Sequence, residues 1–515
     1  MTPLTDSPAP AAHLSPAEEK FEFWRRKAGF VLGPLLFLAV WFAPIPHLPD
    51  AAHRMLAVMA LVGTWWLSEA LPLAATSLLG PALCVVIGIT PARDALRPFA
   101  DPVIFLFLGG FLLAEAMVKH GLNRRIALAV LGLPWVGRSP LGLFAGFGFL
   151  TSFVSAWVSN TATAAMMLPI ALSILRELAT LSHPGSNAPA DWRRSPLACG
   201  LILVTAFAAS IGGIATPIGT PPNLIGIGLI ERMLERRVSF FEWMHFAAPA
   251  ALVLTALLIH HLHRALPKPI AWPKGGQAWL AAESSWLGPW TRPQKQVAMV
   301  FATAIVLWIL PGLVALALGN AHPIASWLQS RLPEGVVALL AAVSLFALPA
   351  SKNSGERTLT WPDATHIDWG TILLFGGGMA LGELMFSTGL AKWIGEGLAA
   401  ALPTQSVFSL TLLFAVVGVL VSEATSNTAS ATMIIPLAIA VSQAAHVDPL
   451  HPALGACLGC SLGFMLPVST PPNALAYGTG AVPLLRMIRH GLWLDLIGCA
   501  VVIAAVHLLA PRTLP

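Results

Sequence analysis

Ser159-Asn160-Thr161 and Thr220-Pro221-Pro222-Asn223 put hydroxyls, amides and helix-breaking prolines inside apolar sequence, and the chain repeats the pair as Ser426-Asn427-Thr428 and Thr470-Pro471-Pro472-Asn473. Polar groups and broken backbone at membrane depth are tolerated only where protein buries them or a watery cavity receives them, so a duplicated set points to one solute site built from two halves. A tip that breaks at Ser-Asn-Thr and resumes as a helix turns unpaired N–H groups and a positive dipole end inward, which suits an anion. Thr220 and Thr470 repeat that logic, each placed to cap a helix with Pro221 or Pro471 at its first position. The half-helices before them end at the same depth, and their unpaired carbonyls, with nearby hydroxyl and Asn oxygens, suit a hard cation such as Na⁺. Neither motif holds Lys or Arg, so a bound carboxylate has to be neutralised by helix ends and co-bound cations. Capping of buried half-helices alone would account for one triplet; it does not account for two at equivalent positions, each followed by Thr-Pro-Pro-Asn.

Composition identifies the elements that must position these motifs. A chain of 515 residues that is 56% hydrophobic and 10% charged cannot hide its apolar surface in a soluble core and is expected to be polytopic in a membrane. Its 18 Trp fit interfacial belts. The net charge of +5 carries no basic stripe with interleaved aromatics, which argues against a nucleic-acid partner. The five cysteines, an odd number in mostly apolar segments, fit neither a disulfide framework nor a zinc site, and Cys457-x-x-Cys460 sits among glycines as a helix-packing face. An intramembrane enzyme would need a convergent nucleophile and base or spaced metal ligands. His260, His261 and His263 lack that spacing and read as interfacial, so the chain is not expected to be an enzyme.

Residues 1–27 read as a disordered cytoplasmic tail and 28–51 as the first transmembrane helix, the apolar run being too long for a secretory signal. Two repeats follow. Gly109-Gly110 through Glu115 to Gly121-Leu122 matches Gly377-Gly378 through Glu383 to Gly389-Leu390, and SNTATAAMMLPIA (159–171) matches SNTASATMIIPLA (426–438). The first repeat spans 52–263, with a hairpin at about 140–178 and a broken helix at about 196–230. A cytoplasmic linker covers 264–296. The second repeat spans 297–515, with a hairpin at about 405–445 and a broken helix at about 452–482. The longer gap between the motifs of the first repeat fits an insertion in the polar loop at 179–195. Lys and Arg flank both ends of the first hairpin, whereas the second has only Lys392 near one end. The hairpins therefore enter from opposite faces, an inverted-topology repeat. Arg232, Arg236 and Arg237 are the exception, falling on the outer side of this topology.

The two triplets, the two Thr-Pro-Pro-Asn motifs and the stretch WWLSEALPLAATSLLG (65–80) resemble the divalent anion/sodium symporter family, which includes the sodium-coupled dicarboxylate transporters. The resemblance covers nearly the whole chain beyond the tail. It implies an all-α membrane protein of about eleven transmembrane helices plus two opposed re-entrant hairpins, a homodimer in membrane lipid working as an elevator. It implies one Na⁺ site at Ser155, Ser159, Asn160 and Gly219, and a second at Ser422, Thr425, Asn427 and Ser469, partly through backbone carbonyls. Substrate carboxylates would meet Asn160, Thr161, Thr220, Asn427, Thr428 and Thr470. The expected activity is Na⁺-coupled symport of a C4-dicarboxylate across the inner, cytoplasmic membrane, with the N-terminus inside. Sulfate or citrate as substrate, exchange in place of symport, and an anion channel are the alternatives.

The acids within apolar segments need separate readings. Glu115 and Glu383, at equivalent positions, and Glu69 beside Trp65 and Trp66 are expected to play a structural role, hydrogen-bonding a helix end or a neighbouring broken helix. Glu423, whose first-half counterpart is Ala156, is expected to tune cation binding, take a proton, or remain a solvated hairpin acid.

Overall fold

The computed structural model describes residues 16–182, 192–267, 288–319, 321–351, 355–402 and 406–510, and every element of regular structure in them is helical. Helices α1 (Pro16–Phe42), α2 (Asp50–Ser68), α3 (Leu73–Val86) and the short α4 (Ala92–Leu96) lead to α5 (Pro102–Lys119) and α6 (Leu122–Leu131). Next come α7 (Pro140–Ser155), α8 (Asn160–Ser182), α9 (Pro196–Ile214), α10 (Pro221–Leu234) and α11 (Phe240–Arg264). The second half opens with α12 (Arg292–Leu318), α13 (Pro323–Arg331), α14 (Glu334–Ala347) and the single turn α15 (Trp361–Ala364). It continues through α16 (Trp369–Ser387), α17 (Leu390–Ala401), α18 (Val407–Ala424) and α19 (Asn427–Ala444) to α20 (Leu450–Gly459), α21 (Pro471–Gly478) and α22 (Leu484–Leu509). Among the described residues eight helices are long and apolar enough to cross a membrane, and α13 with α14 adds a ninth if its 54° bend is one broken span.

One boundary differs from expectation. The tail assigned to 1–27 gives way to helix at Pro16, because Glu22 pairs with Arg25 at 2.7 Å and with Arg26 at 3.9 Å, one turn along, and so supports helix in polar sequence. Residues 1–15, most of the linker expected at 264–296, and residues 183–191 of the polar loop lie outside the described residues.

Helix α9 is apolar or small on every face, the pattern of a fully enclosed helix. Buried residues make up 94% of its apolar window, against 28% for α12 at the periphery. Around it the halves cross over. Helix α10, which follows the first Thr-Pro-Pro-Asn, packs on α19 and α20; α21, which follows the second, packs on α8 and α9. Each Pro-started helix thus leans on the tip helix of the other half.

The repeated glycines have structural causes. Gly121 (φ 63°) and Gly389 (φ 83°) stand in the left-handed region at the starts of α6 and α17, a conformation that costs a side-chain-bearing residue. Gly109 and Gly377 let helices touch backbone to backbone: a Cβ on Gly109 would lie 2.5 Å from the Ala338 carbonyl carbon in α14, and one on Gly377 would overlap Ser77 O in α3.

The three outlying arginines are all paired. Arg232 bonds Glu383 of α16 and, at 3.2 Å, Asp101, the N-cap of α5; Arg236 reaches Asp448 at 2.6 Å and Arg237 reaches Glu334 at 2.6 Å. Carboxylates from four other segments cancel their charge, which is why a count of basic residues alone misjudges this loop. Burial alone would raise the Asp448 carboxyl, but the Arg236 bond and the Leu450 N–H outweigh it and hold the carboxyl below its usual range.

Gly109→Val should lower the melting temperature in detergent through overpacking worth about 1–3 kcal/mol. Gly397→Ala, with nothing within 4 Å of the added methyl, should not lower it. A depressed folded-state pKa contributes stability that is present above the unfolded value and lost as pH falls through the folded one. Melting below about pH 4 should therefore fall less steeply in Asp448→Asn than in the wild type.

Candidate solute-binding site

Both triplets lie at breaks between consecutive helices. Ser159 caps α8 by accepting the Ala162 N–H at 3.3 Å, and Ser426 caps α19 by accepting the Ala429 N–H at 3.2 Å. Asn160 and Thr161, and equally Asn427 and Thr428, then occupy the first two helical positions, whose N–H groups have no partner within the helix. These four residues, with Thr220 and Thr470, line a single cavity of about 700 Å³. The tertiary fold brings all six expected substrate residues together. Among the described residues no Lys or Arg lines this cavity.

The two Pro-started helices depart from their expected symmetry. Thr470 caps α21 by accepting the Asn473 N–H at 3.3 Å, but the Thr220 side chain makes no cap bond. Both helix starts also lack their first two amide donors, because Pro221-Pro222 and Pro471-Pro472 carry none. They present a positive dipole end and a hydroxyl, so amide donors for an anion come from the Ser-Asn-Thr tips.

The carbonyls freed at the breaks are also held rather than bare. Asn223 Nδ2 donates to Gly213 O at 2.9 Å and Thr216 O at 2.7 Å; Asn473 Nδ2 donates to Gly463 O and Leu466 O, each at 3.1 Å. Thr216 Oγ1 donates to Ala156 O, tying the first break to the first tip. This bracing role of Asn223 and Asn473 was missed, although the repeated motif contains both. A carbonyl oxygen keeps a second lone pair, so the bracing does not forbid a cation.

Oxygens gather behind each tip. Ser155 Oγ lies 2.8 Å from Asn160 Oδ1 and 2.6 Å from Ala209 O; Ser422 Oγ lies 2.7 Å from both Asn427 Oδ1 and Cys460 O. With the amides in this orientation each cluster holds three oxygens and one hydroxyl proton, an excess of acceptors that suits a small cation. Glycines make the room. A Cβ on Gly213 would overlap Asn160 Oδ1, and one on Gly463 would sit 3.3 Å from Ser422 Oγ and 3.4 Å from Ser469 Cβ. Gly219 approaches Gly213 O. Ser155, Asn160 and Gly219 therefore converge on the first cluster, and Ser422, Asn427 and Ser469 on the second. The side chains of Ser159 and Thr425 do not join them: Ser159 Oγ caps α8, and Thr425 Oγ1 bonds Val421 O at 2.9 Å and Ser430 Oγ at 2.7 Å.

The acids separate by environment. Glu69 pairs with Arg25 and Arg26 of α1 at 3.5 Å each, whereas Glu383 binds Arg232 of α10 and so takes the expected role against a neighbouring broken helix. Glu115 lines the cavity instead, with its Oε1 4.0 Å from His366 Nδ1. Asp368 also lines it while capping α16 through the Thr371 N–H at 2.9 Å. His366 and Asp368 had no signal in the sequence, since their place comes from α16 packing near the end of α5. Glu423 is 4% exposed and therefore not a solvated acid. All five cysteines are free and buried, and among the described residues no cluster of His, Cys, Asp or Glu could hold a metal.

The family described as the sodium:sulfate symporter transmembrane region matches residues 25–510. A protein named sodium-dependent dicarboxylate transporter SdcS, from Staphylococcus saprophyticus, is 35% identical over 490 residues, covering 94% of this chain and 92% of that protein. Its namesake in Staphylococcus aureus strain bovine RF122 is 34% identical over 491 residues, covering 94% and 91%. Among solved structures, the Alcanivorax borkumensis YdaH transporter matches with a TM-score of 0.53 at 13% identity, over 95% of this chain and 98% of that one. Neisseria gonorrhoeae MtrF matches with a TM-score of 0.52 at 13% identity, over 96% and 98%. At that identity these two share the fold alone.

Asn223→Leu and Asn473→Leu should each destabilise the protein by roughly 1–3 kcal/mol for each carbonyl left without a donor, read as a lower melting temperature in detergent.

Proposed function

The chain belongs to the sodium:sulfate symporter family, and on that premise we propose that it is a secondary active transporter coupling Na⁺ entry to uptake of a C4-dicarboxylate such as succinate, malate or fumarate. The observation that carries this reading is the cavity where both Ser-Asn-Thr tips meet with no Lys or Arg among the described residues that line it. A dianion held there is balanced by helix dipoles and by cations in the clusters behind the tips.

Asn160 and Asn427 supply the coupling. Each has its backbone N–H at a helix start facing the cavity and its Oδ1 in an oxygen cluster, so a cation that orders the side chain also orders the anion's donors. The names of the Staphylococcus relatives support both the ion and the substrate class. In this reading the repeats run in opposite directions through the cytoplasmic membrane, with the N-terminus inside. The cavity reaches Glu115 and His366 near the end of α5 expected to be cytoplasmic, which supports reading it as open inward. Two copies form the working dimer, and the unit carrying both tips moves against the rest as an elevator.

Proteoliposomes loaded without substrate should take up labelled succinate only under an inward Na⁺ gradient, with sulfate and citrate competing weakly. Uptake indifferent to Na⁺ but dependent on internal dicarboxylate would replace symport by exchange. Asn160→Ala and Asn427→Ala should each cut transport by roughly a hundredfold while keeping a monodisperse folded protein, as expected for loss of the Oδ1 contact to the cation that orders the anion's backbone donors. Wild-type transport in either variant would remove the central claim.

A further inference from the structure

Two helices that border the cavity, α5 and α16, each carry a carboxylate near both ends. Asp101 caps α5 and Asp368 caps α16, while Glu115 and Glu383 stand at equivalent positions toward the other ends of the same helices. Glu115 lies fourteen residues beyond Asp101, about 21 Å along α5 at 1.5 Å per residue. The four acids therefore form two pairs at opposite ends. Glu115 and Asp368 line the cavity. Asp101 and Glu383 are bridged by Arg232 of α10, whose Nε donates to Asp101 Oδ2 at 3.2 Å and whose Nη1 donates to Glu383 Oε2. At that end α10 also presses on α16: a Cβ on Gly228 would lie 2.8 Å from Phe375 Cζ, and one on Gly382 would lie 2.6 Å from Met233 Cε. Just beyond α10, Arg237 reaches Glu334 at the start of α14 at 2.6 Å. The first broken helix is thus fastened to its neighbours at the end away from Glu115.

We propose that Arg232 is a one-sided latch: it holds α10 to Asp101 and Glu383 while the cavity is open at the Glu115 end, and it must let go before the cavity can open at the other. Alternating access requires those outer contacts to part, because α10 follows the first Thr-Pro-Pro-Asn and travels with the tips. The repeat does not supply a matching latch at the Glu115 end. Arg232 stands twelve residues past Thr220, and twelve residues past Thr470 stands Val482. Among the described residues no Lys or Arg lines the cavity beside Glu115 and Asp368. The contact therefore biases the empty carrier toward the state open at Glu115. Its setting limits its strength. The Arg232 and Asp101 side chains are 19% and 13% exposed, which spares them much of the screening of a surface pair, whereas Glu383 at 44% already meets water. Opening would hydrate all three groups, so the latch tilts the equilibrium without locking it. The Arg236 bond to Asp448 is different in kind. It joins the end of α10 to the loop after α19, two helices that pack on each other, and need not break.

The inference rests on the alternating-access reading and on its orientation, with Glu115 toward the cytoplasm. Ala165 lines the cavity on the first tip helix, so Ala165→Cys reports the face to which the cavity opens. Membrane vesicles of each sidedness, free of Na⁺ and substrate, are treated with an impermeant maleimide, and the unaltered chain, whose five cysteines are buried, sets the background. Ala165→Cys should react chiefly from the cytoplasmic face. Adding Arg232→Ala or Glu383→Gln should raise its rate from the outer face about fivefold, while adding Arg236→Ala should leave that rate within about twofold. The reversed pair, Arg232→Glu with Glu383→Arg, should bring it back toward the parent. An outer rate unchanged in Arg232→Ala and Glu383→Gln overturns the latch, and so does an equal rise in Arg236→Ala. If Arg232→Ala does not reach the membrane, Glu383→Gln, at a partly hydrated carboxyl, decides alone. Reaction of the parent from the outer face only would overturn the orientation and the latch with it. Labelling needs no transport, so absent or Na⁺-independent succinate uptake sinks the transport reading, whereas the latch stands or falls on accessibility.

Discussion

A helix that unwinds inside a hydrocarbon layer must find partners for every carbonyl and amide it releases. The chain unwinds in this way at both Ser-Asn-Thr tips and both Thr-Pro-Pro-Asn runs, and the helices around them serve to satisfy these groups. At the two Thr-Pro-Pro-Asn breaks the last Asn braces the carbonyls of the half-helix before it. At the two tips a Ser caps the new helix and leaves the next two amides facing the cavity. The polar atoms not absorbed by this bracing are those available to a solute.

This division places opposite tasks next to each other. Amide donors and dipole ends face the cavity, while acceptor-rich clusters of Ser, Asn and carbonyl oxygen lie just behind it. With no Lys or Arg among the described residues lining the cavity, the proposed coupling follows from charge: an anion there has to be balanced by helix ends and by cations in the clusters. The crossover of the halves extends this logic. Because α10 packs on α19 and α21 on α8, each tip helix is in contact with the Pro-started helix of the other half.

Equivalent sequence positions nevertheless take different chemistry. Glu115 faces the cavity beside His366, whereas Glu383 binds Arg232, because only near Glu383 does an arginine from α10 reach the helix. Glu423 and Ala156 diverge in the same way, since their opposing residues, Leu466 and Thr216, offer different donors. A duplicated backbone preserves which groups must be paired and leaves open which side chain pairs them.

The sequence alone determined the all-helical membrane class, the four break points and their pairing into halves, because these rest on apolar runs, on proline and on repeated local motifs, which are properties of neighbours in the chain. The six cavity residues were legible for the same reason: each sits at a helix start that its own motif creates. Long-range packing decided the rest. The arginines at 232, 236 and 237 seemed to contradict the charge pattern until Asp101, Glu383, Asp448 and Glu334 came within reach. His366 and Asp368 joined the cavity, Thr220 lost its expected cap while Thr470 kept it, and Glu423 met the Met465 and Leu466 amides. None of these follows from spacing, because each depends on where separate helices cross, and only the tertiary fold decides which side chains share the low-dielectric space between them.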